Sequence, residues 1–228
     1  MELPYLGLDA DDTLWANIDH FLEAEDRLCE LLAEFGQRTE IEKRLADTEI
    51  KNVPLYGYGT KSFTLSMVEA AIEISNGRVC ASVISRIHDL GRQILRHPVD
   101  LLPGVETTIP ILAQRYRLIV ITKGDLLEQQ QKLELSGLLP YVKTTHVMSG
   151  KKKSDYQDLL GMLRIDPAAF TMVGNSLKSD VLPVLELGGR GIYFPYHYTW
   201  EHEIPSVDAL ANRSYTQIVR FDELLELL

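Results

Sequence analysis

The chain of 228 residues predicts an α/β fold: a three-layer Rossmann-like core with a mostly parallel sheet and an inserted α-helical cap domain. Three observations carry that expectation. Short apolar runs at 5–8, 118–121 and 170–173 have the length and composition of strands buried on both faces. Each run stops abruptly in polar or turn residues, at Asp9, at Thr122 and at Gly174 followed by Asn175. From Pro103 onward strand and helix patterns alternate, whereas four helical stripes and no strand lie between the first run and that point.

Composition narrows the function classes. With 45% hydrophobic residues the chain can bury a sizeable core. Its formal charge of −10, from 33 acidic and 23 basic residues, argues against nucleic acid and anionic membrane as partners. Cys29 and Cys80 both lie in apolar-periodic segments and are expected as buried, reduced thiols. No basic leader with an apolar core is present, and no window approaches the ~20 apolar residues of a membrane span, so the expected compartment is the cytoplasm.

The elements follow in order. Asp9 and Asp11 are two apart, so continued strand geometry would send both side chains from one face, at the end where open α/β sheets hold ligands. Asp9, Asp11, Asp12 and Thr13 crowd this tip with negative charge, for which a divalent cation is the usual remedy. An Asx-rich turn capping a helix is the other reading of the same residues. Phe21, Ala24, Leu28, Leu31, Leu32 and Phe35 recur at helical spacing over 19–35, with Gly36 as the expected C-cap. A weaker helix is expected over 40–50 and a loop over 52–59, where Pro54, Gly57 and Gly59 interrupt the pattern. Phe63, Met67, Ala70, Ala71 and Ile74 mark a third helix, and Val83, Ile87, Leu90 and Ile94 a fourth that ends at His97-Pro98. Four helices between a strand tip and a second β segment read as an insertion, placed to cover the site or to form a dimer.

Beyond Pro103, a helix over 105–116 leads into the strand at 118–121, and a second helix spans 126–135. A strand over 142–148 is followed by Lys151-Lys152-Lys153 and a helical run through Tyr156, Leu159, Leu160 and Leu163. After the strand at 170–173, a helix over 180–187, a strand over 191–194, a strand near 215–219 and a helix over 222–228 complete the core. Residues 195–202, rich in Tyr, His and Trp, read as an aromatic flap; His197 and His202 lack the spacing and third ligand of a metal site. The expected domains are a core of 1–16 and 99–228 and a helical cap of 17–98.

With these residues in place the sequence resembles the haloacid dehalogenase superfamily of hydrolases, whose first motif is an apolar strand followed by DxDxT. Asp9, Asp11 and Thr13 match it. Thr122 matches the second motif, a strand ending in Thr or Ser. Lys151, with Lys152 as the close alternative, matches the third, a lysine before a helix that opens with an aromatic residue, after a one-residue contraction. Gly174, Asn175 and Asp180 match the fourth, GDxxxxD, with an amide where the family has its first acid.

The resemblance implies a Mg²⁺-dependent phosphatase acting on a small phosphorylated metabolite through an aspartyl-phosphate. Asp9 would be the nucleophile and Asp11 the general acid and base. Thr122, Lys123 and Lys151 would bind substrate, with Thr122 and Lys151 fixing the transferring oxygens. Asp9, the Asp11 carbonyl, Asn175 and Asp180 would hold Mg²⁺, with affinity weakened by the neutral amide. A helical cap of the C1 type, a monomer or homodimer, and no nucleic-acid or membrane partner complete the expectation. Two other readings stay open. One is metal-independent haloacid dehalogenation, disfavoured because that branch lacks a second aspartate at the position of Asp11. The other is a capped binding or regulatory protein with weakened turnover, for which Asn175 speaks.

Overall fold

The computed structural model describes residues 3–210 and 213–228; residues 1, 2, 211 and 212, which the expected domain spans include, lie outside the described residues. In chain order the main elements are β1 (Tyr5–Leu8), α1 (Ile18–Leu32), α2 (Arg38–Tyr56), α3 (Thr60–Ile74), α4 (Ala81–Arg96), α5 (Val105–Arg115) and β2 (Arg117–Lys123). They continue with α6 (Leu126–Leu135), β3 (Val142–Met148), α7 (Lys153–Leu163), β4 (Thr171–Gly174), α8 (Leu182–Leu185), β5 (Arg190–Tyr193), α9 (Val207–Leu210), β6 (Thr216–Gln217) and α10 (Leu224–Leu227). Among the described residues, no helix is long and apolar enough to cross a membrane.

Among the described residues, six parallel strands form one sheet in the order β3-β2-β1-β4-β5-β6. That order reverses between β1 and β4, the switch point where doubly wound sheets open a crevice at the carboxyl ends of their strands. Alternation along the strands builds the three layers. Leu6, Leu8, Leu118, Val120, Val173 and Ile192 face a core with Val105, Ile109 and Leu112 of α5 and with Phe221 and Leu224 near the C-terminus. Ile119, Ile121 and Met172 face the opposite core with Tyr156, Leu159 and Leu160 of α7. Gly7 is required in β1: a Cβ there would lie 2.5 Å from the Phe170 ring and 2.8 Å from Met172 Sδ.

The chain divides into two compact units. The sheet unit comprises the chain up to Ala16, Val99–Lys123 and Gln129–Leu228, and the second unit Asn17–Pro98 with Gly124–Glu128. The second unit has its own core, in which Ala24, Leu28 and Leu32 of α1 join Ile41 and Leu45 of α2, Phe63, Met67, Ala70 and Ala71 of α3, and Ile87 and Ile94 of α4. Gly124–Glu128 is tied to it by hydrogen bonds and an ion pair. The Glu128 carboxylate accepts hydrogen bonds from the Thr60 N–H (3.1 Å) and hydroxyl (2.8 Å), and Asp125 pairs with Lys61 at 2.9 Å.

Several expectations are corrected here. The second helix runs to Tyr56, through Pro54, because Asn52 is buried and donates to Ser66 Oγ and Glu69, which draws the segment into the packed unit. Gly57, with φ of 74°, closes the last turn by donating to the Val53 carbonyl. The first helix stops at Leu32, short of Gly36. Cys29 is buried, but Cys80 is exposed at the start of α4. Both thiols are free.

Candidate active site

The carboxyl end of β1 meets those of its neighbours β2 and β4. Asp9 extends β1 by one ladder bond, its N–H donating to the Val173 carbonyl at 2.9 Å. The chain then turns back on itself. Thr13 and Leu14 donate their N–H groups to the Ala10 carbonyl, and Asp12 adopts a left-handed φ of 59° while donating to the Trp15 carbonyl at 2.7 Å. The turn returns Thr13 to Asp9. Its hydroxyl donates to Asp9 Oδ2 at 2.9 Å and accepts the Asn175 N–H at 3.1 Å, joining the ends of β1 and β4.

Lys151 reaches the other Asp9 oxygen. Its ammonium, on a residue only 4% exposed, contacts Asp9 Oδ1 and lies 2.7 Å from Asp180 Oδ1. Lys152 and Lys153 are both exposed. Asp180 completes its bonding by accepting the Ser176 N–H at 2.9 Å. Gly174 makes room for it, since a Cβ there would lie 2.3 Å from the Asp180 carboxyl carbon. Burial pushes the Asp9 carboxyl up to about 7, against the pull of Lys151 and with a further push from Asp180. Burial also opposes the charge on Lys151, but Asp180 and Asp9 outweigh it and hold the ammonium above its ordinary range. One cation thus serves two buried carboxylates.

Thr122 is buried at the end of β2, with its hydroxyl donating to the Lys123 carbonyl at 3.1 Å. The Lys123 ammonium contacts the Glu203 carboxylate and donates to Ser179 Oγ at 3.1 Å. Glu203 also accepts from Ser176 Oγ at 2.7 Å and from Ser179 Oγ. Burial would raise the Glu203 carboxyl, but the Lys123 charge and these hydrogen bonds lower it to about 2.

Asp11 departs most from expectation. The turn from Ala10 to Trp15 follows directly on Asp9, and Asp9 and Asp11 meet different partners. Asp11 Oδ1 accepts from the Trp15 indole N–H at 2.7 Å and from Lys132 Nζ at 3.0 Å, while Oδ2 accepts from Gln129 Nε2 at 2.7 Å. The carboxylate is therefore turned to α6.

The side-chain donors here are oxygens: the Asp9 and Asp180 carboxylates, which share Lys151, and the Asn175 amide oxygen, 3.5 Å from the Thr13 hydroxyl. Such a set suits a hard cation, and two buried carboxylates against one ammonium leave negative charge for it to offset. Sequence reasoning missed Glu203, Ser176, Ser179, Gln129, Lys132 and Trp15. Only Gln129 and Lys132 carried a signal, an i,i+3 polar pair on one face of a helix; Glu203 lies 80 positions from Lys123.

Comparison with known proteins agrees with this geometry. A family profile described as haloacid dehalogenase-like hydrolase matches residues 6–188. A haloacid dehalogenase-like family hydrolase from Xanthomonas campestris is 38% identical, with 90% of this chain and 86% of that one covered and a TM-score of 0.81. Two more distant structures share the fold with a TM-score of 0.65 each. A 2-haloacid dehalogenase from Pseudomonas syringae pv. tomato DC3000 is 21% identical over 99% of this chain and 98% of its own. A HAD-hydrolase from Bacillus subtilis bound to magnesium is 17% identical over 100% of this chain and 99% of its own. No curated protein sequence gives a significant match. A buried aspartate at the switch point of a parallel sheet, matched by a family profile over most of the chain, leads to one conclusion: this protein belongs to the haloacid dehalogenase-like hydrolases.

Proposed function

We propose that the protein is a Mg²⁺-dependent phosphatase that hydrolyses a small phosphorylated metabolite through an aspartyl-phosphate on Asp9. The observation that carries this reading is the Asp9 carboxylate, buried between Thr13 and Lys151 in a site of oxygen donors. Asp9 Oδ attacks phosphorus in line as the bond to the leaving oxygen breaks, and that oxygen takes the proton of the Asp11 carboxyl. Asp11, now a carboxylate, takes a proton from water as the water oxygen bonds to phosphorus; the bond to Asp9 breaks and its electron pair returns to the carboxylate. Thr122 and Lys151 hold the phosphoryl oxygens through both steps. Asp180 orients Lys151. Asp9, the Asp11 carbonyl, Asn175 and, through water, Asp180 would hold Mg²⁺, which supplies a Lewis acid that offsets the charge of phosphoryl group and nucleophile.

Haloacid dehalogenation is the second reading, because the Asp11 carboxylate is turned to α6 and Asn175 is neutral. One assay separates the two. Hydrolysis of p-nitrophenyl phosphate that requires Mg²⁺, with no halide released from 2-chloropropionate, supports the phosphatase. Halide release without metal, and no phosphate release with it, overturns it.

A further inference from the structure

A general acid must present a hydroxyl within roughly 2.6–3.2 Å of the leaving oxygen. Asp11 presents none in the observed pose. Oδ1 is shared by Trp15 and Lys132, Oδ2 is taken by Gln129, and none of these three residues bonds to Asp9, whose partners are Thr13 and Lys151. Two aspartates two positions apart therefore face separate sets of donors. Gln129 is nearly fully buried; its amide N–H donates to Asp11, while its Oε1 has no hydrogen-bond partner in the structure. The Asp11 and Lys132 side chains retain 23% and 16% exposure, so the pair is not sealed in the core.

Resting on the phosphatase reading, we propose that Gln129 and Lys132 are positioning residues that hold Asp11 in a resting pose. Proton transfer then requires Asp11 to leave these donors, and the fraction of enzyme with Asp11 released scales the rate of the chemical step. The pose is a competitor of catalysis, built from one face of α6. Trp15 donates the third bond, but its ring belongs to the sheet core, so it is not the side chain to alter.

The test uses the full-length protein with saturating Mg²⁺ and phenyl phosphate, whose leaving oxygen needs a proton. Lys132→Met and Gln129→Met, each checked for an unchanged melting transition, are compared with wild type and with Lys132→Arg. The expected result is a kcat raised roughly threefold to tenfold in each Met variant with KM little changed, and a return toward the wild-type value in Lys132→Arg, which restores a cation. Both increases vanish when the substitutions are placed on Asp11→Asn, a dependence that a merely structural role for α6 would not produce. Unchanged or reduced kcat in both Met variants of an active enzyme overturns the inference and leaves the phosphatase reading standing. A wild type with no Mg²⁺-dependent phosphatase activity overturns the reading, and the inference with it.

Discussion

Asn175 stands where the family motif has an acid, bonded through its N–H to the Thr13 hydroxyl that donates to Asp9. Hard cations reward ligand charge, so Asn175→Asp should lower the Mg²⁺ concentration for half-maximal activity by roughly tenfold. A titration midpoint that stays put would remove Asn175 from the metal site. Gly174 acts by what it lacks. Because Asp180 Cβ would lie 2.6 Å from a Cβ at this position, Gly174→Ala must displace the carboxylate that shares Lys151 with Asp9. The expected loss is about 10²-fold in kcat, the cost of a misplacement near 1 Å, with the family fold retained by circular dichroism. The same two positions show what a sequence can carry. The glycine and the distal acid are legible as a motif, but the reason for the glycine is steric and appears only when Asp180 is seen beneath it.

At the scale of elements, two carboxylates reach partners far away in sequence. α3 begins at Thr60 behind Gly59, which has no side chain to cap it, and the buried Glu128 carboxylate takes both the Thr60 N–H and hydroxyl. A carboxylate at a helix N-terminus satisfies an orphan donor and complements the dipole, so Glu128→Ala should destabilise the protein by about 1–2 kcal/mol in urea unfolding. Glu203 is the corresponding device for the loops after β2 and β4. Its carboxyl, lowered from an ordinary 4.5 to about 2, contributes stability that is present above pH 4.5 and is lost as the pH falls toward 2. Glu203→Gln should therefore cost about 2 kcal/mol at pH 7, and the difference from wild type should shrink steadily below pH 4.5. A difference that does not vary between pH 7 and 3 would mean that the Lys123 pairing adds nothing. Neither carboxylate's role was legible, because each joins residues far apart in sequence. The helix stripes of α1, α3 and α4 were legible, since periodic burial is a local pattern, whereas α2 extended past its expected end once Asn52 found partners on α3.

Across the whole molecule, the strand order was implicit in apolar runs that end in Asp9, Thr122 and Gly174, and the sheet brings the ends of β1, β2 and β4 together as neighbours. What sequence spacing misjudged was direction. The left-handed turn at Asp12 breaks the strand register, so Asp11 faces Gln129 and Lys132 while Asp9 faces Lys151. As the proposed nucleophile, Asp9 would accept the phosphoryl group and carry it covalently, which can be read directly. The protein should be mixed with Mg²⁺ and p-nitrophenyl phosphate, quenched in acid during turnover, digested and analysed by mass spectrometry. A phosphoryl group on Asp9 in the wild type, absent in Asp9→Asn, is the predicted result; phosphate release with no modification of Asp9, or with the phosphoryl group on another residue, would contradict it.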